Sequence, residues 1–306
     1  MNFVVIICSV RRPTVMHETV TLILSQDRLP SKILLCVSEA DDVLDDTLKL
    51  DDRVVRIMSP VKGLTAQRNY AVRMSADDAP DVTVFLDDDI EIETGFLRKM
   101  LHLFEKQEDL IGVSAESLIG GLMVSRAKAA TAIASLDEIP AGDLSVRSLG
   151  KHWSLHGCNM FIRTSILQKE LFDEHLPLYS YAEDYDFSIR AARHGQVGRV
   201  AGVGFVHLTH SSGRISERRR GYSMVANNLY FLQKRVSHLP LIKAYLRFWI
   251  IIVLKETWVS FYRALCGRDA DQIDYSGRVR GRLMAVKDIL FGKCTPKDIL
   301  NDERFG

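Results

Sequence analysis

Residues 82–89 read VTVFLDDD, an apolar run that ends in the three consecutive aspartates Asp87, Asp88 and Asp89. The run is short and rich in β-branched residues, which is typical of a strand buried on both faces of a sheet. In an open parallel sheet, ligands bind beyond the carboxyl ends of the strands. The three acids therefore predict a ligand site at the end of this strand.

Strand-like and helix-like segments alternate on both sides of this run. The predicted strands are Phe3–Cys8, Lys32–Val37, Val54–Met58 and Met160–Ile162, with further strand character within Gly112–Met123 and Val197–His210. The predicted helices are Val15–Gln26, Leu64–Met74, Thr94–Glu105 and Tyr185–His194, and residues 125–150 are predicted to form a loop. The alternation predicts an α/β fold, a Rossmann-like and mostly parallel sheet flanked by helices.

The composition is that of an ordinary globular protein, with 47% hydrophobic and 26% charged residues among 306. The 40 basic residues nearly balance the 39 acidic ones, so net charge gives no argument for nucleic-acid binding and we expect no such partner. The five cysteines have no CxxC spacing, which predicts reduced thiols in a cytoplasmic protein. No basic segment precedes the first apolar run, so we expect no signal peptide.

Three adjacent carboxylates repel one another unless a cation or buried donors compensate their charge. Mg²⁺ and Mn²⁺ are the natural partners, because both bind carboxylate and phosphate oxygens. Such an ion would neutralise a departing diphosphate. The alternative is a solvated acidic turn or a helix N-cap. A calcium EF-hand loop is disfavoured, because a strand precedes the acids and the expected glycine is missing.

A second acidic pair, Glu183 and Asp184, opens a predicted helix. A carboxylate at the edge of a cleft can act as a general base on an acceptor hydroxyl. The alternative is that both acids only stabilise the helix dipole.

Basic and polar residues occur in two further segments. Arg68 and Asn69 lie in the first turns of a helix, where Arg68 is suited to a diphosphate and Asn69 to a base or ribose. Their alternative role is that of a polar helix face. His207 and His210 follow an apolar strand, and their odd spacing points them to opposite faces, so only one should reach a metal. Either histidine is also compatible with a purely structural role.

The order of these segments resembles that of the family 2 glycosyltransferases, which have the GT-A fold, over roughly residues 1–230. The resemblance implies an Asp-x-Asp motif at Asp87 and Asp89 and a catalytic base at Asp184. It favours His210 over His207 as the metal-completing histidine, because a glycine follows three residues later.

The resemblance also assigns the remaining site residues. The implied metal ligands are Asp87, Asp89 and His210. The implied donor-binding residues are Arg11, Pro13, Glu39, Lys62, Arg68, Asn69, Asp87 and Asp88. The implied acceptor-side residues are Cys158, Asn159 and Glu183.

We therefore predict an inverting, metal-dependent enzyme that transfers a hexosyl or deoxyhexosyl group from a nucleotide-diphosphate sugar to an acceptor hydroxyl. The resemblance implies a carbohydrate or lipid-linked acceptor in cell-envelope polysaccharide or glycolipid synthesis. A nucleotidyltransferase is an alternative, although the loop at residues 9–13 lacks the glycines of a phosphate loop. The other alternative is a non-catalytic module that binds nucleotide sugars.

We predict a catalytic domain over residues 1–230 and a helical extension over residues 231–306. Residues 241–265 are apolar, but charged residues leave too short a core to span a bilayer. Three interpretations of this segment stand: a helix packed on the catalytic domain, a homodimer interface, or an interfacial helix at the inner membrane. Its aromatic and flanking basic residues favour the interfacial helix.

Overall fold

The computed structural model describes most of the chain. The described residues are 1–120, 124–136, 139–149, 154–208, 210, 212–213, 215–237, 239–265 and 273–305. Parts of two predicted segments, Gly112–Met123 and 125–150, thus lie outside the described residues.

The strands of the described chain are β1 (Phe3–Cys8), β2 (Lys32–Val37), β3 (Val54–Met58), β4 (Val82–Leu86), β5 (Ile90–Ile92), β6 (Leu110–Ala115), β7 (Arg147–Ser148), β8 (Asn159–Arg163), β9 (Gln196–Val200) and β10 (Phe205–His207). The first four have the bounds that the sequence predicts.

The helices are α1 (Pro13–Leu24), α2 (Asp45–Leu48), α3 (Leu64–Met74), α4 (Phe96–Lys106), α5 (Arg126–Ala134), α6 (Thr164–Leu167), α7 (Glu183–Ala191), α8 (Glu217–Gln233), α9 (Leu241–Arg247), α10 (Glu256–Leu265), α11 (Tyr275–Leu290) and α12 (Asp302–Phe305). A π-helical segment, Phe248–Lys255, joins α9 to α10 without a break.

Eight strands form one sheet in the order β3-β2-β1-β4-β8-β6-β9-β7. β1 pairs in parallel with β2 and β4, β2 with β3, and β6 with β9, whereas β8 runs antiparallel to both of its neighbours. β5 and β10 form a separate antiparallel pair. The predicted α/β fold with a mostly parallel sheet is confirmed.

The prediction of a loop over residues 125–150 is wrong. The segment contains α5 and the short strand β7. Ser125 caps α5, since its side chain accepts a hydrogen bond from the backbone N–H of Lys128. The fully buried Ala129 packs α5 against Val206 and Leu208. A short alanine-rich helix with a single buried residue leaves little periodicity to find in the sequence.

The chain divides into two compact units. The first comprises residues 1–62, 66–172 and 190–213, and the second comprises residues 63–65, 173–189 and 214–306. The predicted domain boundary near residue 230 falls inside α8. The core of the first unit lies between the sheet and the helices α1 and α4, which bury residues such as Met16, Val20, Phe96 and Met100.

Close contact between α8 and α11 organises the second unit. A Cβ atom added at Gly221 would meet the backbone carbonyl of Arg278, and one added at Gly281 would meet that of Arg218. The two glycines therefore let the helix backbones approach more closely than any side chain would permit. No helix among the described residues is long and apolar enough to cross a membrane.

A buried cation supports the π-helical segment in the same unit. Arg282 is only 2% exposed, and its Nη1 donates a hydrogen bond of 2.7 Å to the carbonyl of Ile252. The π-helical pitch changes which backbone groups pair within the helix. The guanidinium satisfies one of these carbonyls from outside the helix.

We expect Gly281→Ala to lower the free energy of unfolding by about 2 kcal/mol, because the added methyl group must displace helix backbone. Urea unfolding followed by tryptophan fluorescence would measure this change. Gly120→Ala is the matched control, since a Cβ there meets no atom within 4 Å. Equal stabilities of the two variants would contradict the close-packing account.

Candidate active site

The strand order brings three segments of the first unit to one edge of the sheet. β1 and β4 run parallel with Ile7 opposite Leu86, so the loop after β1 lies beside the aspartates. β8 runs the other way, with Asn159 opposite Leu86. The backbone N–H of Asp87 donates to the carbonyl of Cys158 at 3.0 Å. The predicted ligand site thus has walls from three strands.

Asp88 points into the protein and is fully buried. Its carboxylate accepts a hydrogen bond from Ser9 Oγ and lies 3.1 Å from Arg12 Nη2. Burial raises the pKa of Asp88 to about 7, although Arg12 opposes this shift. These contacts give Asp88 a role in fixing the loop after β1, whereas the sequence predicts that it contacts the donor.

Asp89 is also buried, but each of its carboxylate oxygens accepts a hydrogen bond from a basic side chain. Arg12 Nη1 lies 2.8 Å from Oδ2, and His207 Nε2 lies 3.0 Å from Oδ1. The backbone N–H of His210 donates to Oδ2 at 2.8 Å. Burial alone would raise the pKa of Asp89, but His207 and Arg12 lower it to about 2.

The pairing of β5 with β10 determines which histidine meets the acids. His207 lies opposite Ile90, the residue that follows Asp89. The ligand atoms of Asp87, Asp89 and His207 all lie within 4.8 Å of one another. His210 has an exposed side chain and contributes its backbone N–H instead. The structure therefore brings His207, and not the favoured His210, to the metal-binding pair of acids.

The donor set of this cluster fits a divalent cation. Two carboxylates and an imidazole converge at one point, and the Asp87 side chain is 30% exposed, which leaves one side open. Without an ion, burial opposes a charged imidazolium at His207, but Cys158 and Asp89 raise its pKa. Positive charge thus already compensates the acids at this position.

Arg68 is a predicted donor-binding residue that lies beside the acids. It is 2% exposed, and its guanidinium lies 3.7 Å from Asp87 Oδ1 and 2.7 Å from the carbonyl of Gly157. Its Cζ lies 5.5 Å from the ring centre of Phe85 and 5.2 Å from that of Phe172. Two aromatic faces therefore hold this cation beside the cluster.

Two predicted ligands instead support the backbone. Both side-chain polar atoms of Asn69 bond the backbone of Phe172, at 2.8 and 2.9 Å. Asn159 is fully buried and bonds the N–H and the carbonyl of Ala115. Both amides are therefore committed within the first unit, and we assign neither to the donor nor to the acceptor.

The remaining predicted donor residues lie around the loops after β1 and β2. The backbone N–H of Arg11 donates a hydrogen bond to the carboxylate of Asp42 at 2.5 Å. The side chain of Arg11 is exposed. Pro13 is the first residue of α1. Lys62 Nζ lies 2.6 Å from Glu39 Oε1, and this ion pair lowers the pKa of Glu39. Both members of the pair are exposed.

Glu183 and Asp184 belong to the second unit, where they open α7. The turn before them has three residues in the left-handed region, Leu178, Ser180 and Ala182, with φ between 53° and 63°. Such backbone is uncommon for residues other than glycine. Asp184 is half-buried, and its Oδ1 accepts from the N–H of Tyr185 at 2.8 Å. The constrained turn fixes where the helix begins.

Sequence reasoning missed Arg12 and Ser9, which contact the buried acids. Arg12 follows Arg11 and precedes the first residue of α1. The sequence pattern does not show which of these two neighbouring arginines contacts the aspartates. The signal lies in the topology, since β1 adjoins β4 and its loop must reach the aspartates. Only the orientation at the start of α1 selects Arg12.

Comparisons with known proteins agree with this geometry. Residues 2–221 match the family model described as glycosyltransferase like family 2. No curated protein matches the sequence. Residues 1–349 of S. aureus TarS, solved in complex with UDP-GlcNAc, are 16% identical with a TM-score of 0.54, over 89% of this chain and 77% of that one.

A second solved structure is similar over nearly the whole chain. The mannosyltransferase PcManGT from Pyrobaculum calidifontis, in complex with GDP-Man and Mn²⁺, is 13% identical with a TM-score of 0.53. The match covers 98% of this chain and 85% of that one. At these identities the likeness establishes the shared GT-A fold.

We expect Asp89→Ala to abolish divalent-ion-dependent binding of a nucleotide-diphosphate sugar, because it removes the most buried ligand of the cluster. Calorimetric titration with donor and Mn²⁺ would measure the loss, and circular dichroism would verify folding. Because Asp89 is buried, Asp87→Asn serves as a second, milder variant. Parental binding by either folded variant would remove that residue from the metal site.

The two histidines make separate predictions. His207→Gln should weaken Mn²⁺ binding by at least about tenfold, since loss of a group in the coordination environment commonly costs that much. His210→Gln should leave it unchanged, because only its backbone reaches Asp89. Electron paramagnetic resonance of free Mn²⁺ would measure both affinities. The reverse ranking would restore His210 as the ligand.

Proposed function

This chain belongs to the glycosyltransferase like family 2 and is a nucleotide-sugar glycosyltransferase, and from that premise we propose that it transfers a hexosyl or deoxyhexosyl group to an acceptor hydroxyl with inversion. The convergence of Asp87, Asp89 and His207 at the sheet edge carries the proposal. The cluster lies within the matched residues, and the buried Arg68 adjoins it.

The enzyme uses a divalent metal, for which we propose Mn²⁺ rather than Mg²⁺. The imidazole of His207 supports this choice, because Mg²⁺ prefers oxygen ligands in strict octahedral geometry. When bound, the ion would stabilise the negative charge that develops on the departing diphosphate. Asp87, Asp89 and His207 would hold it.

The chain's own cations complete the donor site in this proposal. Arg68 is rigidly held between two rings and would orient the diphosphate by hydrogen bonding. The exposed Arg11 and Lys62 would bind phosphate or nucleotide oxygens, and Glu39 would accept a hydrogen bond from the base or ribose. Pro13 would shape the wall of this site.

We propose Asp184 as the general base on the acceptor side. Its carboxylate would accept the proton of the attacking hydroxyl as the bond from the anomeric carbon to the diphosphate breaks. A single displacement of this kind inverts the anomeric configuration. Glu183 and Cys158 would contact the acceptor.

The acceptor in this proposal is a carbohydrate or lipid-linked molecule of cell-envelope polysaccharide or glycolipid synthesis. The enzyme would work in the cytoplasm, in peripheral contact with the inner membrane. Exposed apolar side chains on α9 and α10 support the location.

The experiment that tests the function measures release of nucleoside diphosphate from a panel of nucleotide sugars. Each donor is assayed with Mn²⁺, with Mg²⁺ and with EDTA. A glycosyltransferase releases diphosphate from a subset of donors and only with metal. Release of pyrophosphate from a nucleoside triphosphate would indicate a nucleotidyltransferase, and donor binding without turnover of any donor would indicate a binding module.

Asp184→Asn should keep donor affinity and lower transfer by about 10²–10⁴-fold, the usual contribution of a general base. Transfer is measured as product formed per unit time at saturating donor. Asp52→Asn is the matched control, because Asp52 is an exposed aspartate of the first unit. Undiminished transfer by Asp184→Asn would exclude the base assignment, and lost donor affinity would make Asp184 a binding residue.

A further inference from the structure

Residues 241–265 carry an unusual concentration of exposed apolar side chains. Among the described residues, 25 large hydrophobic side chains are exposed, and 11 of them lie in this segment of 25 residues. They are Leu241, Ile242, Tyr245, Leu246, Trp249, Ile250, Leu254, Trp258, Phe261, Tyr262 and Leu265. A monomeric protein rarely leaves so many neighbouring apolar groups in water without a function for them.

The exposed residues follow the helix as one stripe, which we call the apolar face. Its central row steps by four residues: Ile242, Leu246, Ile250, Leu254, Trp258 and Tyr262. In an α-helix four residues exceed one turn of 3.6, so such a row drifts around the axis. The π-helical segment has a wider turn, in which four residues fall short of one turn. The drift therefore reverses between α9 and α10, and the row stays together.

The opposite side of the same helix packs within the second unit. Ala244, Phe248 and Val253 are buried in its core together with Tyr222 and Ala285. The segment is thus anchored along one side, while the apolar face is exposed along the other. A helix that is apolar on both sides is expected to contact a second apolar environment in addition to the core of its own unit.

The charges of the segment are strongly one-sided. Lys243, Arg247, Lys255 and Arg263 are all exposed, and Glu256 is the single acid, so the segment carries a net charge of +3. Tyrosine and tryptophan side chains lie among these cations. Amphipathic aromatic rings with flanking lysine and arginine are typical of helices at the level of lipid headgroups.

We propose that the apolar face docks on the surface of an anionic phospholipid bilayer. The helix would lie parallel to the membrane, with its leucine, isoleucine and tryptophan side chains among the acyl chains and its four cations at the headgroups. A second copy of the chain fits less well, because it would bring another +3 segment against this one. The inference deepens the proposed location of the enzyme.

The inner side of the helix connects this surface to the proposed chemistry. Arg247, Phe248 and Ile252 line a pocket of the second unit together with Tyr185 and Phe231. Tyr185 follows Asp184, the proposed base. The segment that carries the apolar face thus packs, on its other side, against the helix that carries the base, and a lipid-linked acceptor at the membrane would be presented to this part of the second unit. This step alone rests on the proposed function.

The test uses the full chain, without donor or metal, and vesicles of phosphatidylcholine with or without 30% phosphatidylglycerol. Co-sedimentation should occur with the anionic vesicles, and it should fall as salt rises. Lys243→Ala and Lys255→Ala should each weaken this binding about fivefold, which corresponds to about 1 kcal/mol per basic residue near an anionic surface. Equal binding to both vesicle types, or to neither, overturns the proposal.

The apolar contribution is tested by Leu254→Glu combined with Trp258→Glu, at two exposed positions where folding should be preserved. This variant should lose vesicle binding. Leu50→Glu combined with Met74→Glu is the matched control, because it places the same charges on exposed apolar positions of the first unit. Equal loss in both variants overturns the assignment of the surface.

Insertion is measured by quenching of tryptophan fluorescence with brominated lipids. The parent should be quenched, and Trp249→Phe combined with Trp258→Phe, which retains only Trp153, should not be. Unchanged quenching in that variant overturns the proposal. The proposal is also overturned if the parent binds no vesicles but forms a dimer in sedimentation velocity, and if Leu254→Glu combined with Trp258→Glu dissociates that dimer. Diphosphate release by the same variants is also measured with a soluble acceptor. This assay shows whether the transfer reaction itself has failed, independently of any loss of membrane binding.

Discussion

The packing of three carboxylates at the end of β4 is the constraint on which the first unit depends. Two of them are buried, and like charges so close together destabilise the folded chain unless cations meet them. Arg12 comes from the loop after β1, Arg68 from α3 and His207 from β10. These three basic groups come from three different elements, so the compensation of the acids depends on the same packing that forms the site.

The three aspartates share one sequence pattern but not one environment. Asp88 faces inwards and holds a loop, Asp89 is enclosed by positive groups, and Asp87 is the most accessible of the three. The differences follow from the alternation of side chains beyond the strand and from which neighbour stands on each side. The cluster therefore combines a buried inner part with an accessible outer part, which the proposed metal site requires if substrate oxygens are to complete the coordination.

Much of the fold could be predicted from the sequence, because the parallel strands are continuous apolar runs with sharp ends. β1 to β4 and α3 have the bounds that their residues predict. The site could be predicted only in part, since motifs identify residue types and not their directions. Asn69 and Asn159 have side chains that could bind a ligand, but both form hydrogen bonds to the backbone instead. The positions of Arg12 and His207 beside the acids depend on pairings between strands that are distant in sequence. The weakly periodic α5 was missed because a single buried alanine anchors it.

The π-helical segment between α9 and α10 has a consequence for how this protein tolerates changes in length. Each residue of an α-helix turns the chain by about 100°. Deleting one residue from Phe248–Lys255 would rotate everything after it about the helix axis, by an amount that depends on how far the remaining stretch tightens towards an α-helix. Trp258 and Tyr262 would then leave the line set by Ile242 and Leu246, although all four of these side chains would still be present. We therefore expect this stretch to tolerate substitutions between apolar residues better than insertions or deletions, because insertions and deletions change the direction in which the later side chains point.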